Sequence, residues 1–142
     1  VKRLNENCPM EVVEAESGMK IQAGTCYVCG GAHQMTFYRK LTKEVVLRVS
    51  TTPITNYMPS ADVMLNSALD VFGVNTIGVL MTGIGDDGAD AMVRITQEGG
   101  HTIAESEESC VVWGMPRSAA ERGGAKQVLP SWDIAKALLR KL

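Results

Sequence analysis

No apolar run in the 142-residue sequence approaches the roughly 20 residues that a membrane-spanning helix needs, and no secretory signal peptide is visible. Membrane insertion is therefore not expected, and the thiols read as reduced ones in a cytoplasmic protein. No run of Lys or Arg stands out and the net charge is -2, so nucleic acid is not an expected partner. Cysteine is sparse: Cys8, Cys26, Cys29 and Cys110. Cys26-Tyr-Val-Cys29 has no second C-x-x-C and no paired His behind it. It also falls where a strand is expected, which turns the two side chains to opposite faces. Packing cysteines fit better than half a zinc site or a redox pair, and no metal or cofactor is expected. Histidine is limited to His33 and His101. No serine stands in a G-x-S-x-G elbow, and there is no internal repeat or low-complexity segment. The first residue is Val1 rather than Met, so a fragment or processed product of a longer protein is expected.

What is present suits one folded domain. The sequence is 45% hydrophobic and 21% charged, ordinary for a globular chain with a real core. Its organising stretch is 76–90. The unbroken apolar run 77–81 predicts a strand buried on both faces. Gly83, Gly85 and Gly88 then predict a sharp turn. Residues 89–98 follow with helical spacing, Ala89, Met92, Val93 and Thr96 on one face, ended by Gly99 and Gly100. Asp86 and Asp87 thus lie between a buried strand and a helix N-terminus, the edge at which open α/β sheets build sites.

Elsewhere, 1–5 reads as the tail of a helix, and 10–15 and 25–28 as strands. Alternation over 33–39 (Met35 and Phe37 together) and 44–50 (Val45, Leu47 and Val49 inward) predicts an antiparallel hairpin. Residues 51–59 form a loop broken by Pro53 and Pro59. Ser60 is the expected N-cap of a helix over 61–72, with Asp62 in its first turn and a stripe of Ala61, Leu65, Ala68 and Phe72. Further expectations are a strand at 101–104, an acidic loop at 105–109, a helix from Pro116 to about Arg122, a strand at 127–129 and a helix over 132–142 capped by Ser131. The apolar piece 110–113 fits no type. Alternating strands and helices in the second half predict an α/β fold: a doubly wound αβα sandwich with a mainly parallel sheet plus an antiparallel hairpin.

Three chemistries compete at the turn. Gly83, Gly85 and Gly88 satisfy G-x-G-x-x-G, with Glu105 after the next strand, which would suit a Rossmann-type dinucleotide-binding module. Two carboxylates and no Lys or Arg beside a pyrophosphate speak against it. Asp87 could instead cap its own helix through the N–H of Ala89 or Asp90, with Asp90 a solvated dipole partner. Or Asp87 could orient a histidine that activates a nucleophile. His101 should lie at the far sheet edge and His33 at the surface, so the chain carries an acid without an evident base or nucleophile.

Thr82-Gly-Ile-Gly-Asp-Asp-Gly-Ala89, Thr102-Ile-Ala104, Ser109-Cys-Val-Val-Trp-Gly-Met-Pro-Arg117 and Pro59-Ser-Ala-Asp62 resemble the catalytic domain of the CheB family, the chemotaxis protein-glutamate methylesterases. Cys29-Gly-Gly-Ala-His33 resembles the family's Pro-Gly-Gly-x-His turn less closely. The resemblance spans nearly the whole chain in the family's order. It implies hydrolysis of γ-glutamyl methyl esters, and deamidation of glutamines, on the cytoplasmic helices of methylated chemoreceptors by a Ser-His-Asp triad. It also implies a receiver domain in cis. The triad acid falls on Asp87, and the Ser and His on sequence before Val1. The chain then corresponds to the C-terminal part of the esterase domain, inactive alone, with uncovered edges that favour a homodimer. Tyr57, Thr82, Gly83, Ile84 and Gly85 fall on the substrate pocket. Two departures touch it: Tyr57-Met58 where the family has His-Arg, and Ile84 where it has Met.

Overall fold

The computed structural model describes residues 1–141. A short helix α1 (Lys2–Asn7) leads to strand β1 (Glu11–Glu14), which pairs in parallel with β2 (Thr25–Val28). β3 (Gln34–Arg39) and β4 (Val45–Ser50) form the antiparallel hairpin that their alternation predicts, in register from Gln34↔Ser50 to Arg39↔Val45. Met35, Phe37, Leu47 and Val49 pack together, with Cys29 against them. Val46 is buried as well, beside residues 18–21, which hydrogen-bond along the outer edge of β4.

The second half alternates helix and strand: α2 (Ala61–Phe72), a 3₁₀ turn (Gly73–Asn75), β5 (Ile77–Leu80), α3 (Ala89–Gln97), β6 (His101–Glu105), α4 (Met115–Glu121), β7 (Gln127–Leu129) and α5 (Ser131–Leu139). β5, β6 and β7 make a parallel sheet in that order. The fold is mixed α/β, with parallel sheets and one antiparallel hairpin. Ser60 is the N-cap of α2, its Oγ accepting from Val63 N–H, and Gly73 ends that helix. After α3 the chain turns left-handed at Gly99 (φ +91°), as the glycine pair predicts.

Leu65 and Leu69 of α2, Leu80 of β5, Met92 and Ile95 of α3, and Ala119 of α4 form the main core, and Met64 joins it to the hairpin cluster. Phe72 meets Phe37 edge-on at 5.7 Å. The α2 stripe therefore closes on Leu69, which is fully buried, with Phe72 turned toward the hairpin. On α3 the buried residues are Ala89, Ala91, Met92 and Ile95, not Val93 and Thr96; helices α2 and α4 cover a second flank of it.

Two further expectations are corrected. β5 is fully buried on one face, at Gly78 and Leu80, and half-buried on the other; the strand buried on both faces is β6, which alone among the described strands has a strand on each side. Ser131 does not cap α5: it is the first helical residue, and its N–H donates to Ser109 Oγ at 2.9 Å. The helix ends at Leu139, and Leu142, the predicted terminus, lies outside the described residues.

Candidate active site at the α2 and α3 termini

The turn after β5 is laced to the segment before α4. Gly83 N–H donates to Val112 O, and the Gly83 carbonyl accepts from Gly114 and Met115 N–H. Thr82 Oγ1 donates to Val112 O and accepts from Val112 N–H. Residues 110–113, untyped in the sequence, are the partner of this turn. Thr82 N–H donates at 2.8 Å to Glu105 Oε2, and Ser109 Oγ at 2.7 Å to Glu105 Oε1. Glu105 is 2% exposed, the last residue of β6 rather than part of an acidic loop. Burial alone would raise its carboxyl. The hydrogen bonds from Ser109, Thr82 and Cys110 outweigh that and hold it below the usual carboxylate range. Cys110 responds oppositely: burial first, then the Glu105 charge, pushes its thiol up.

Asp87 is 8% exposed, but it does not cap α3. The N-cap of that helix is Gly88, left-handed at φ +88° and without a side-chain bond. The turn swings the Asp87 carboxylate onto the N-terminus of α2. Oδ1 accepts from Ser60 Oγ at 2.7 Å and Asp62 N–H at 3.2 Å, and Oδ2 from Ala61 N–H at 2.6 Å. These donors and the positive end of the α2 dipole suit an anion. In return, Asp62 Oδ1 accepts from Ala91 N–H of α3 at 2.8 Å. Asp86 and Asp90 point outward and share Arg122, at 2.6 and 2.7 Å. Asp90 is thus an ion-pair partner, not merely solvated.

Asp87 and Tyr57 line an apolar cleft of about 570 Å³, completed by Tyr27, Cys29, Met35, Pro59, Met64 and Met115. Both also border a smaller acidic cleft of about 250 Å³ with Asp62, Asp86 and Asp90. Gly83 and Gly85 reach the larger cleft indirectly: Gly83 abuts Met115, and Gly85 lies under the Tyr57 hydroxyl, each with no room for a Cβ. Thr82 turns away toward Val112 and Glu105, and Ile84 is 77% exposed at the tip of the turn. Neither histidine lines the cleft. His33 contacts the Gly31 carbonyl at the surface, and His101, at the opposite end of the sheet, contacts Gln127.

The glycine pattern does not build a pyrophosphate cradle. The Ala91 N–H is taken by Asp62 and the Ala89 N–H by the Asp86 carbonyl, and Glu105 is engaged with Thr82 and Ser109. Among the described residues no cluster of three metal-ligating side chains exists, and no helix is long and apolar enough to cross a membrane. Sequence reasoning missed Gln34 and Arg122 in this region and read Glu105 as the acidic residue of a dinucleotide pattern, where it instead holds Thr82 and Ser109; Ser60, as an N-cap, carried a local signal.

Residues 1–138 match the family described as CheB methylesterase. The chain is 51% identical over 140 residues to protein-glutamate methylesterase/protein-glutamine glutaminase 3 of Syntrophomonas wolfei, covering 99% of this chain and 40% of that protein. It is 50% identical over 141 residues to protein-glutamate methylesterase/protein-glutamine glutaminase 2 of Carboxydothermus hydrogenoformans, covering 96% and 40%. The chain thus spans about 40% of the length of these curated relatives. Among solved structures, the Thermotoga maritima CheB methylesterase catalytic domain superposes with a TM-score of 0.94 at 32% identity, over 99% of this chain and 75% of that one.

Proposed function

Because the chain belongs to the CheB methylesterase family, we propose that it supplies the acid of a Ser-His-Asp triad in a cytoplasmic protein-glutamate methylesterase. The substrates are γ-glutamyl methyl esters, and glutamine amides, on the cytoplasmic helices of chemoreceptors. The domain extends beyond these 142 residues, with serine and histidine on sequence before Val1 and a receiver domain in cis. The observation that carries this reading is Asp87: a nearly buried carboxylate, held by three donors, opening on an apolar cleft that contains no histidine of its own.

In the reaction, Asp87 accepts the imidazole N–H, fixing its tautomer and stabilising the imidazolium. The imidazole takes the serine proton as Oγ attacks the ester carbonyl. It returns that proton to the departing methoxide, so methanol leaves and a glutamyl-serine ester remains. Water, deprotonated by the same imidazole, releases glutamate; with glutamine the first leaving group is ammonia. Tyr57 and Met115, backed by Gly85 and Gly83, form the wall on which the ester rests, with Thr82 holding that turn and Ile84 at its exposed rim.

The test uses the protein extended upstream of Val1 and methylated receptor. Asp87→Asn lowers kcat by on the order of 10- to 10³-fold, less than the roughly 10⁴-fold of the serine-protease case because an ester is the easier bond. Asp86→Asn, which breaks only an exposed pair with Arg122, stays within about 2-fold. Circular dichroism checks that both are folded. A crippled Asp86→Asn, or an unaffected Asp87→Asn, overturns the assignment.

A further inference from the structure

Ser60 stands between a buried amide and the triad acid proposed above. Its Oγ donates to Asp87 Oδ1 at 2.7 Å while accepting from Val63 N–H at 3.4 Å, and its own N–H donates to Gln34 Oε1 at 2.8 Å. Ser60 is 5% exposed and Gln34 1%. Gln34 Nε2 reaches the Pro53 carbonyl (3.2 Å), Thr55 Oγ1 (2.9 Å) and the Tyr57 carbonyl (3.2 Å). One carboxamide therefore fixes both the loop that carries Tyr57 and the residue bonded to Asp87.

An N-cap serine serves its helix as an acceptor for backbone N–H. That role leaves the hydroxyl proton unassigned, and here it goes to a carboxylate. The difference matters because the terminal torsion of an aspartate is broad and roughly two-fold. The Ala61 N–H holds Oδ2, and of the two donors on Oδ1 the Ser60 hydroxyl is the closer, at 2.7 Å against 3.2 Å for the Asp62 N–H, so the hydroxyl is the main restraint on rotation from that side. A carboxylate has about four acceptor positions on its two oxygens. Oδ1 accepts two hydrogen bonds and Oδ2 one, so Oδ2 keeps an acceptor position for an imidazole N–H.

We propose that Ser60 is a positioning residue for Asp87, held in place by Gln34, and that it presents Oδ2 to the histidine. The inference rests on the esterase reading and adds to it which oxygen works and what aims it.

The experiment separates this role from helix capping. Glycine is nearly as good an N-cap as serine, so Ser60→Gly removes the hydroxyl and leaves the helix end serviceable. In the upstream-extended protein, Ser60→Gly lowers kcat by about 10-fold, because small misplacements of a catalytic group are costly, and leaves KM within about 2-fold. Ser60→Thr, which restores a hydroxyl, recovers kcat to within about 3-fold. In an Asp87→Asn background Ser60→Gly has no further effect on kcat, since the group it aims is already lost. Parent-like kcat for Ser60→Gly, with Asp87→Asn crippled, overturns the positioning role and leaves the esterase reading intact. An equal loss in both backgrounds, or a loss confined to KM, overturns it in favour of a structural role. An unaffected Asp87→Asn overturns the esterase reading and this inference together.

Discussion

Asp62 and Asp87 cap each other's helices: the Asp87 carboxylate accepts from N–H groups of Ala61 and Asp62 at the start of α2, and Asp62 Oδ1 accepts from the Ala91 N–H at the start of α3. The residue proposed as catalytic is also half of a structural exchange. Two helix N-termini lie side by side, the helices running the same way from Asp62 and Ala91 to Asp70 and Arg94, and two negative charges satisfy donors that neither helix satisfies from within.

Asp62 carries the half of that exchange remote from the chemistry. Asp62→Ala should lower stability by about 1–2 kcal/mol, from a lost cap and a lost first-turn charge. Asp62→Asn, which still accepts, should lose less than half of that. Urea unfolding followed by circular dichroism measures both; equal losses would mean that charge, not the cap, is what Asp62 contributes.

Gly88 makes the turn that carries Asp87 across. It sits at φ +88°, and a Cβ there would come 2.8 Å from Leu80 Cδ1 and 3.0 Å from Ala61 Cβ. Gly88→Ala should cost about 2 kcal/mol or more. Gly24, at φ +78° with nothing within 4 Å, supplies the comparison, since Gly24→Ala meets only the backbone penalty of about 1 kcal/mol. Equal melting-temperature losses would remove the steric part of this account.

Gln34 is the only side chain holding the Ser60 N–H among the described residues. Gln34→Met keeps the length but strands that donor and the Pro53 carbonyl, while the Tyr57 carbonyl keeps the Thr55 hydroxyl. A loss of about 2–4 kcal/mol is expected, with faster proteolysis inside residues 51–59. A stable variant with an unchanged cleavage pattern would show that the loop is held elsewhere.

Glu105 gives a pH signature. Its folded-state pKa is depressed. Its contribution is therefore present above the unfolded carboxylate value of about 4.3 and is lost as pH falls through the lower folded value. Glu105→Gln still accepts from Thr82 N–H but does not titrate. The stability advantage of the parent over Glu105→Gln should thus hold at pH 7 and shrink below about pH 4. A difference constant across that range would contradict the assignment.

What could be read in the sequence was local. The hairpin followed from alternation at Met35, Phe37, Leu47 and Val49, and the ends of α2 and α3 from Ser60, Gly73 and Gly99. Pairing over distance was not legible. Asp87 has the sequence of a cap for α3, yet the left-handed Gly88 delivers it to Ser60, 27 residues upstream. Gln34 lies 26 residues before the N–H it holds, and nothing in an alternating strand marks one position as a polar hub. The burial of β6 on both faces depends on β5 and β7 lying at its sides, which no pattern within residues 101–105 encodes. Of the proposed pocket residues, Tyr57 lines the same cleft as Asp87, whereas the Thr82 side chain is turned to Val112.

The lacing of residues 82–83 to residues 112–115 also equips the molecule with an optical reporter. Trp113 forms a bridge with Gly83, and its indole nitrogen is buried with no hydrogen-bond partner among the described residues. The other tryptophan, Trp132, is 66% exposed. With Trp132→Phe, emission comes from Trp113 alone, blue-shifted while the two segments stay laced and red-shifting when they part. Whatever enters the cleft and disturbs the turn can then be followed by colour, without a label and without turnover.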